Sequence, residues 1–82
     1  MEKTIGYVYW EAHCKNNKCG TRILVWADNK AYDRSAAPYP VPQLFLNGGG
    51  IARTCLKCLQ RYFYRIEDCD YVWKQEAPAD ML

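Results

Sequence analysis

The sequence predicts a small, mostly-β domain of antiparallel hairpins gathered around one metal site. Three observations carry that expectation. Two tight cysteine pairs, Cys14-Lys-Asn-Asn-Lys-Cys19 and Cys55-Leu-Lys-Cys58, stand thirty-five residues apart. Each pair is followed by a β-branched or aromatic run, Thr21 to Ala27 (TRILVWA) and Arg61 to Ile66 (RYFYRI), which read as strands. The chain has only 82 residues, a size at which a domain often needs a metal, disulfides or a partner to hold a fold.

Composition narrows the class. Half the residues are hydrophobic and 15% are aromatic, which argues against disorder. Seven tyrosines suit short amphipathic strands better than a helical bundle. The N-terminus, Met1-Glu-Lys-Thr-Ile-Gly-Tyr, has no apolar stretch of leader length, and no segment approaches the roughly 18 apolar residues of a membrane span. The expectation is a cytoplasmic protein that makes no membrane contact, with reduced thiols. Five cysteines, an odd number, fit a closed disulfide framework poorly.

The first strand is predicted over Thr4 to Ala12 (TIGYVYWEA), with Ile5, Tyr7 and Tyr9 on one face and Val8 and Trp10 on the other. Both faces are apolar, so this strand belongs at the centre of a sheet or is covered on both sides. Cys14 to Gly20 is a knuckle whose Asn16, Asn17 and Gly20 tolerate the turns a metal loop requires. The strand Thr21 to Ala27 completes a hairpin with the metal at its tip, and Asp28-Asn29-Lys30 ends it.

Pro38, Pro40 and Pro42 alternate with Tyr39 and Val41, which excludes a helix and weakens any ladder. A packed loop and a docking segment for an aromatic groove are both compatible with this stretch. Leu44 to Leu46 is a candidate strand, and Asn47-Gly48-Gly49-Gly50 is a connector without the setting of a phosphate loop. Few β-branched residues lie between Ala52 and Gln60, so a short helix can form there. Arg61 to Ile66 leaves the second knuckle, Glu67 to Asp70 is a polar turn, and Tyr71 to Lys74 is a final strand. Residues 1–74 thus form one domain with a Pro-rich insert at about 31–47, and residues 75–82 a flexible tail. Trp10, Trp26, Phe63, Tyr71 and Trp73 are the expected core.

Cys14, Cys19, Cys55 and Cys58 are the candidate metal ligands. Two short thiol pairs at a distance let one ion collect two sulfurs from each half of the chain, and zinc suits an all-sulfur shell. Cys55-Leu-Lys-Cys58 alone also fits a redox pair, but that motif needs a helix N-terminus, and a β-rich run follows here. His13 adjoins Cys14, and neighbouring strand residues point to opposite faces, so it belongs beside the site or on the surface. Cys69 lies between acids in a polar turn and is a bystander. The halves also echo each other: Arg22 and Arg61 each follow a knuckle's last cysteine by three positions, which suggests two hairpins related by a rough two-fold.

These residues resemble the zinc ribbon family, β-hairpin modules that hold zinc between two cysteine knuckles. The resemblance covers about Tyr7 to Trp73. The four-residue gap in the first pair is also similar to one knuckle of the phage late-gene activator zinc fingers. What the resemblance implies is one structural zinc and a binding role, not catalysis, within a zinc-ribbon-like antiparallel sheet of two knuckle hairpins.

Partner chemistry rests on local charge. The formal net charge is +2 with neutral thiols; four thiolates around a dication bring it to near zero. Arg53, Lys57, Arg61 and Arg65 recur every four residues, with no acid from Gly50 to Ile66 and with Tyr62, Phe63 and Tyr64 interleaved. Cations beside aromatics can clamp phosphates and stack bases; they can also be a solvated face over a small core. The leading expectation is nucleic-acid contact through Arg22, Lys57, Arg61 and Arg65. The rival is a protein-interaction adaptor, with a homodimer as one form of it. No Ser/His/Asp constellation points to an enzyme.

Overall fold

The structure, a computed structural model, describes residues 5–78; Thr4 of the first expected strand and residues 79–82 of the expected tail lie outside that range. Six strands follow in order: β1 (Ile5–His13), β2 (Arg22–Ala27), β3 (Tyr32–Asp33), β4 (Gly50–Thr54), β5 (Arg61–Arg65) and β6 (Asp70–Lys74). All pairings are antiparallel. The expected small, mostly-β fold with knuckle hairpins is what forms.

β1 is the central strand, as its two apolar faces foretold. Tyr9, Trp10 and Glu11 each pair with β2 and with β6. β3 pairs with Ile5 and Gly6. The two knuckle hairpins do not share a single sheet as expected. β1–β2 belongs to the four-stranded sheet, whereas β4–β5 stands as a separate two-stranded sheet. The reason is that β2 and β6 occupy β1 on both sides, so the second hairpin joins the first through side chains.

One of those side chains answers a defect in the ladder. Trp10 faces Trp26 and Glu11 faces Leu24, leaving Val25 as an extra residue on β2. A bulge of this kind frees backbone groups from the ladder. Val25 is fully buried, and its carbonyl accepts a 2.8 Å hydrogen bond from Arg53 Nε of β4. The guanidinium thus fastens the second hairpin to the bulge of the first.

Val8, Trp10, Ala12, Val25, Tyr39, Phe45 and Tyr64 form the buried cluster. Trp10 is buried as expected, and Trp26 and Trp73 pack partly buried against the cluster. Phe63 and Tyr71 are exposed, contrary to expectation. On β5 the two-residue alternation turns Tyr62 and Tyr64 inward, so Phe63 faces out. The Pro-rich segment is a packed loop: Tyr39 and Pro42 are buried, and the Tyr39 ring meets Tyr32 and Tyr71 at 5.8 and 5.2 Å. With Tyr39 in the protein's own core, the segment does not offer its aromatic to a groove elsewhere.

Leu44 to Leu46 is not a strand. It lies in a kinked 3₁₀ segment, Gln43–Gly48. Pro42, with φ near −56°, sets the turn, and its carbonyl accepts from the Phe45 N–H at 2.9 Å. Phe45 is thereby driven into the core beside Trp10, with ring centroids 6.2 Å apart. The helix considered for Ala52 to Gln60 is absent as well; β4 runs to Thr54 and a tight turn follows. Leu59, at φ 64°, is in a left-handed conformation that no α-helix accommodates.

Candidate metal centre

The two knuckles are built on one plan. In the first, the Cys14 N–H donates to the Thr21 carbonyl at 2.7 Å, and the Gly20 N–H to the Asn16 carbonyl at 3.0 Å. In the second, Cys55 donates to Gln60 at 2.9 Å, and Leu59 to Cys55 at 2.8 Å. The residue after the last cysteine is left-handed in both, Gly20 at φ 64° and Leu59 at φ 64°. The first knuckle fits two more residues between equivalent closing bonds. Arg22 and Arg61 then open their strands opposite His13 and Thr54, so the two-fold echo in the sequence is a repeat in space.

The repeat brings all four predicted ligands together. The sulfurs of Cys14, Cys19, Cys55 and Cys58 all lie within 4.8 Å of one another. The cross-knuckle approaches are 3.6 Å for Cys14–Cys58 and 3.8 Å for Cys19–Cys55. A tetrahedron of sulfurs around zinc has edges of ~3.8 Å, given a Zn–S bond near ~2.3 Å. The donor set and its spacing therefore fit one metal ion.

Neighbouring groups favour the thiolate at Cys19 and at Cys58. The Thr21 hydroxyl, 3.3 Å from Cys19 Sγ, draws that thiol down to about 6, helped by the Thr21 backbone. Cys58 is lowered first by the Gln60 backbone N–H. Cys14 is pushed up to about 11, chiefly by burial. A buried thiol of that kind stays protonated at neutral pH unless a cation displaces the proton.

His13 is exposed on β1 and is not among the clustered ligands. Cys69 is also apart: its Sγ lies 3.4 Å from the Arg65 carbonyl, and burial, then Asp68 and Asp70, push its thiol up to about 11. Lys15, which the sequence did not single out, anchors the first knuckle to the second hairpin. Its Nζ donates to the Phe63 carbonyl at 2.7 Å and pairs with Asp68 at 2.8 Å. Its N–H donates to the Tyr64 hydroxyl at 3.3 Å.

A cleft of ≈ 580 Å³ opens between β2 and the second knuckle hairpin, with Arg22, Arg53, Lys57 and Arg61 in its walls and Ile23, Leu24 and Ala52 among its apolar lining. Three of the four predicted nucleic-acid residues meet there. Arg65 does not line it; it sits further along β5 with its guanidinium 5.8 Å from the Phe63 ring. Arg53 joins the cleft in its place. The four-residue recurrence from Arg53 contained that signal, but only the fold shows which members converge. Among the described residues no acid lines the cleft. Arg22 is paired with Glu11 at 2.6 Å. Among the described residues Lys57 and Arg61 make no ion pair with an acid.

The chain matches no protein-family model, no curated protein and no solved structure. Among the described residues no helix is long and apolar enough to cross a membrane.

Proposed function

We propose that this chain is a non-enzymatic zinc module that contacts nucleic acid through the cleft beside its metal centre. Zinc is the ion of choice for four thiolates in a tetrahedron, and a shell filled by protein sulfurs leaves no position for a reacting water. Its role is to hold two hairpins of separate sheets in one relative position. The observation that carries the nucleic-acid reading is the convergence of Arg22, Arg53, Lys57 and Arg61 on one cleft with no lining acid among the described residues. Such a surface attracts a phosphate backbone, and its apolar lining can take a sugar or a base edge.

The test is fluorescence anisotropy with labelled oligonucleotides across a salt series. The affinity should fall with salt, log K dropping by ~0.7 per neutralised phosphate for a single strand per log unit of salt. Lys57→Glu with Arg61→Glu should abolish binding while zinc content stays at wild type. No binding at low salt overturns the proposal.

The adaptor reading has one observation in its favour. Leu56 and Leu59, on the second knuckle, are 89% and 72% exposed. Paired leucines held open on a rigid turn suit a protein contact. Replacing both by serine would abolish partner or self-association on that reading, with little salt dependence, and wild type would bind no oligonucleotide even at low salt.

A further inference from the structure

The outward face of β5 carries Arg61, Phe63 and Arg65 in succession, all exposed. Their partners on β4 are Thr54, Ala52 and Gly50, three small residues that leave the Phe63 ring without a tall neighbour across the strand. The ring lies over Gly50: a Cβ built there would stand 2.9 and 3.0 Å from two of its carbons, and would also collide with the Tyr64 carbonyl oxygen. Phe63 is thus supported from below yet 46% exposed. The ring is flanked two residues away on each side by an exposed arginine, which sets an aromatic face between two cations. Tyr62 and Tyr64, which the sequence offered as equals, are turned inward.

From this arrangement, and resting on the nucleic-acid reading above, we infer that the ligand is single-stranded and that one base stacks on Phe63 while Arg61 and Arg65 take the phosphates on either side. Arg61 and Arg65 lie four residues apart on β5, ~13 Å along the strand, about two nucleotide steps of an extended chain, with Phe63 midway between them. The Arg65 guanidinium, 5.8 Å from the ring centroid, can reach a phosphate or lie over the same ring system. Arg61 belongs both to this face and to the cleft wall, so a strand leaving Phe63 continues into the cleft. A base paired and stacked inside a duplex cannot offer its face to the ring, so duplex binds more weakly.

The test compares a single-stranded oligonucleotide of about 12 residues, carrying 2-aminopurine at successive positions, with the same sequence as a blunt duplex. Wild type should prefer the single strand and change the 2-aminopurine emission. Phe63→Leu keeps an apolar side chain without a ring; it should weaken single-strand affinity about 5-fold to 150-fold, the usual worth of one stacked base, with the salt slope unchanged. Phe63→Trp should restore affinity. Arg65→Gln should instead lower the salt slope by ~0.7. If Phe63→Leu binds like wild type while Lys57→Glu with Arg61→Glu does not bind, stacking is overturned and the nucleic-acid reading stands. If wild type binds duplex as tightly as single strand, the single-strand assignment fails. If no oligonucleotide binds, both fall.

Discussion

Replacing Arg53 by methionine tests how the two hairpins are joined. The substitution keeps most of the apolar stem and removes the donor that reaches Val25. The hydrogen bond is 2.8 Å long, its donor is charged, and the residue bearing its acceptor is 0% exposed. The shorter methionine cannot reach the carbonyl as a donor, so the carbonyl loses this partner. Hydrogen bonds from charged groups contribute ~1.5–3 kcal/mol, and an unsatisfied buried acceptor costs a similar amount on its own. The expected loss is therefore ~1.5–3 kcal/mol, not the few tenths typical of a surface arginine. For a domain of this size each kcal/mol moves Tm by ~4–8 °C, so a fall of about 6–24 °C should be seen. The measurement is thermal unfolding followed by circular dichroism at fixed free zinc, because metal bound only to the folded form shifts Tm by mass action. One zinc per chain should remain. A methionine variant within ~0.5 kcal/mol of wild type would refute the idea that Arg53 is the strut.

Further outcomes follow from the same geometry. Gly20→Ala forces a Cβ onto a backbone at φ 64° and should destabilise by ~1 kcal/mol or more, whereas Leu59→Gly at the matching position should be neutral or mildly stabilising; equal effects on chemical denaturation would deny that the knuckles are equivalent. Asp68 is held below its ordinary value first by the Arg65 N–H and then by Lys15. Its folded pKa is the lower one, so its contribution is complete above about 3.8 and is lost only as pH falls through the depressed folded value. Asp68→Asn should therefore cost ~0.2–1 kcal/mol, the range for a partly exposed pair screened by solvent, with a gap to wild type that stays constant from pH 6 to pH 8 on the order of experimental error. A gap that changes within that window would assign the effect to another group. Gly6→Ala would place a Cβ against the Lys74 carbonyl and 2.6 Å from the Trp73 ring, and should cost ~1–3 kcal/mol by overpacking; a wild-type Tm would contradict the packing of β6 on β1.

Local pattern disclosed the parts whose cause is local. The alternation in β1 and β2, the turn formers between Cys14 and Gly20, and the spacing of the four cysteines all act over a few residues, and each was legible. The parts that were hidden depend on residues distant in sequence. Phe63 and Tyr64 are indistinguishable as letters; which one is buried is set by the register of β5 against β4 and by Lys15 reaching across from the first knuckle. Leu44 to Leu46 has strand composition, yet Pro42 and the pocket beside Trp10 turn it into a 3₁₀ segment. Arg53 belonged to a visible row of cations, but its strut role exists only because β2 bulges at Val25. For the site, the cysteine cluster was readable because bringing four sulfurs close enough to hold one ion imposes a spacing on the chain. The cleft was not, because it lies between β2 and β4, elements of separate sheets.

The most direct measurement is metal content followed with folding on the reduced chain. One zinc per chain is expected, and its removal by a tight chelator with all five thiols kept reduced should erase the near-ultraviolet signal and the dispersed amide resonances, with both returning when zinc is restored. A reduced, metal-free chain that keeps its native spectrum would contradict the claim that four sulfurs around one ion hold the two hairpins together.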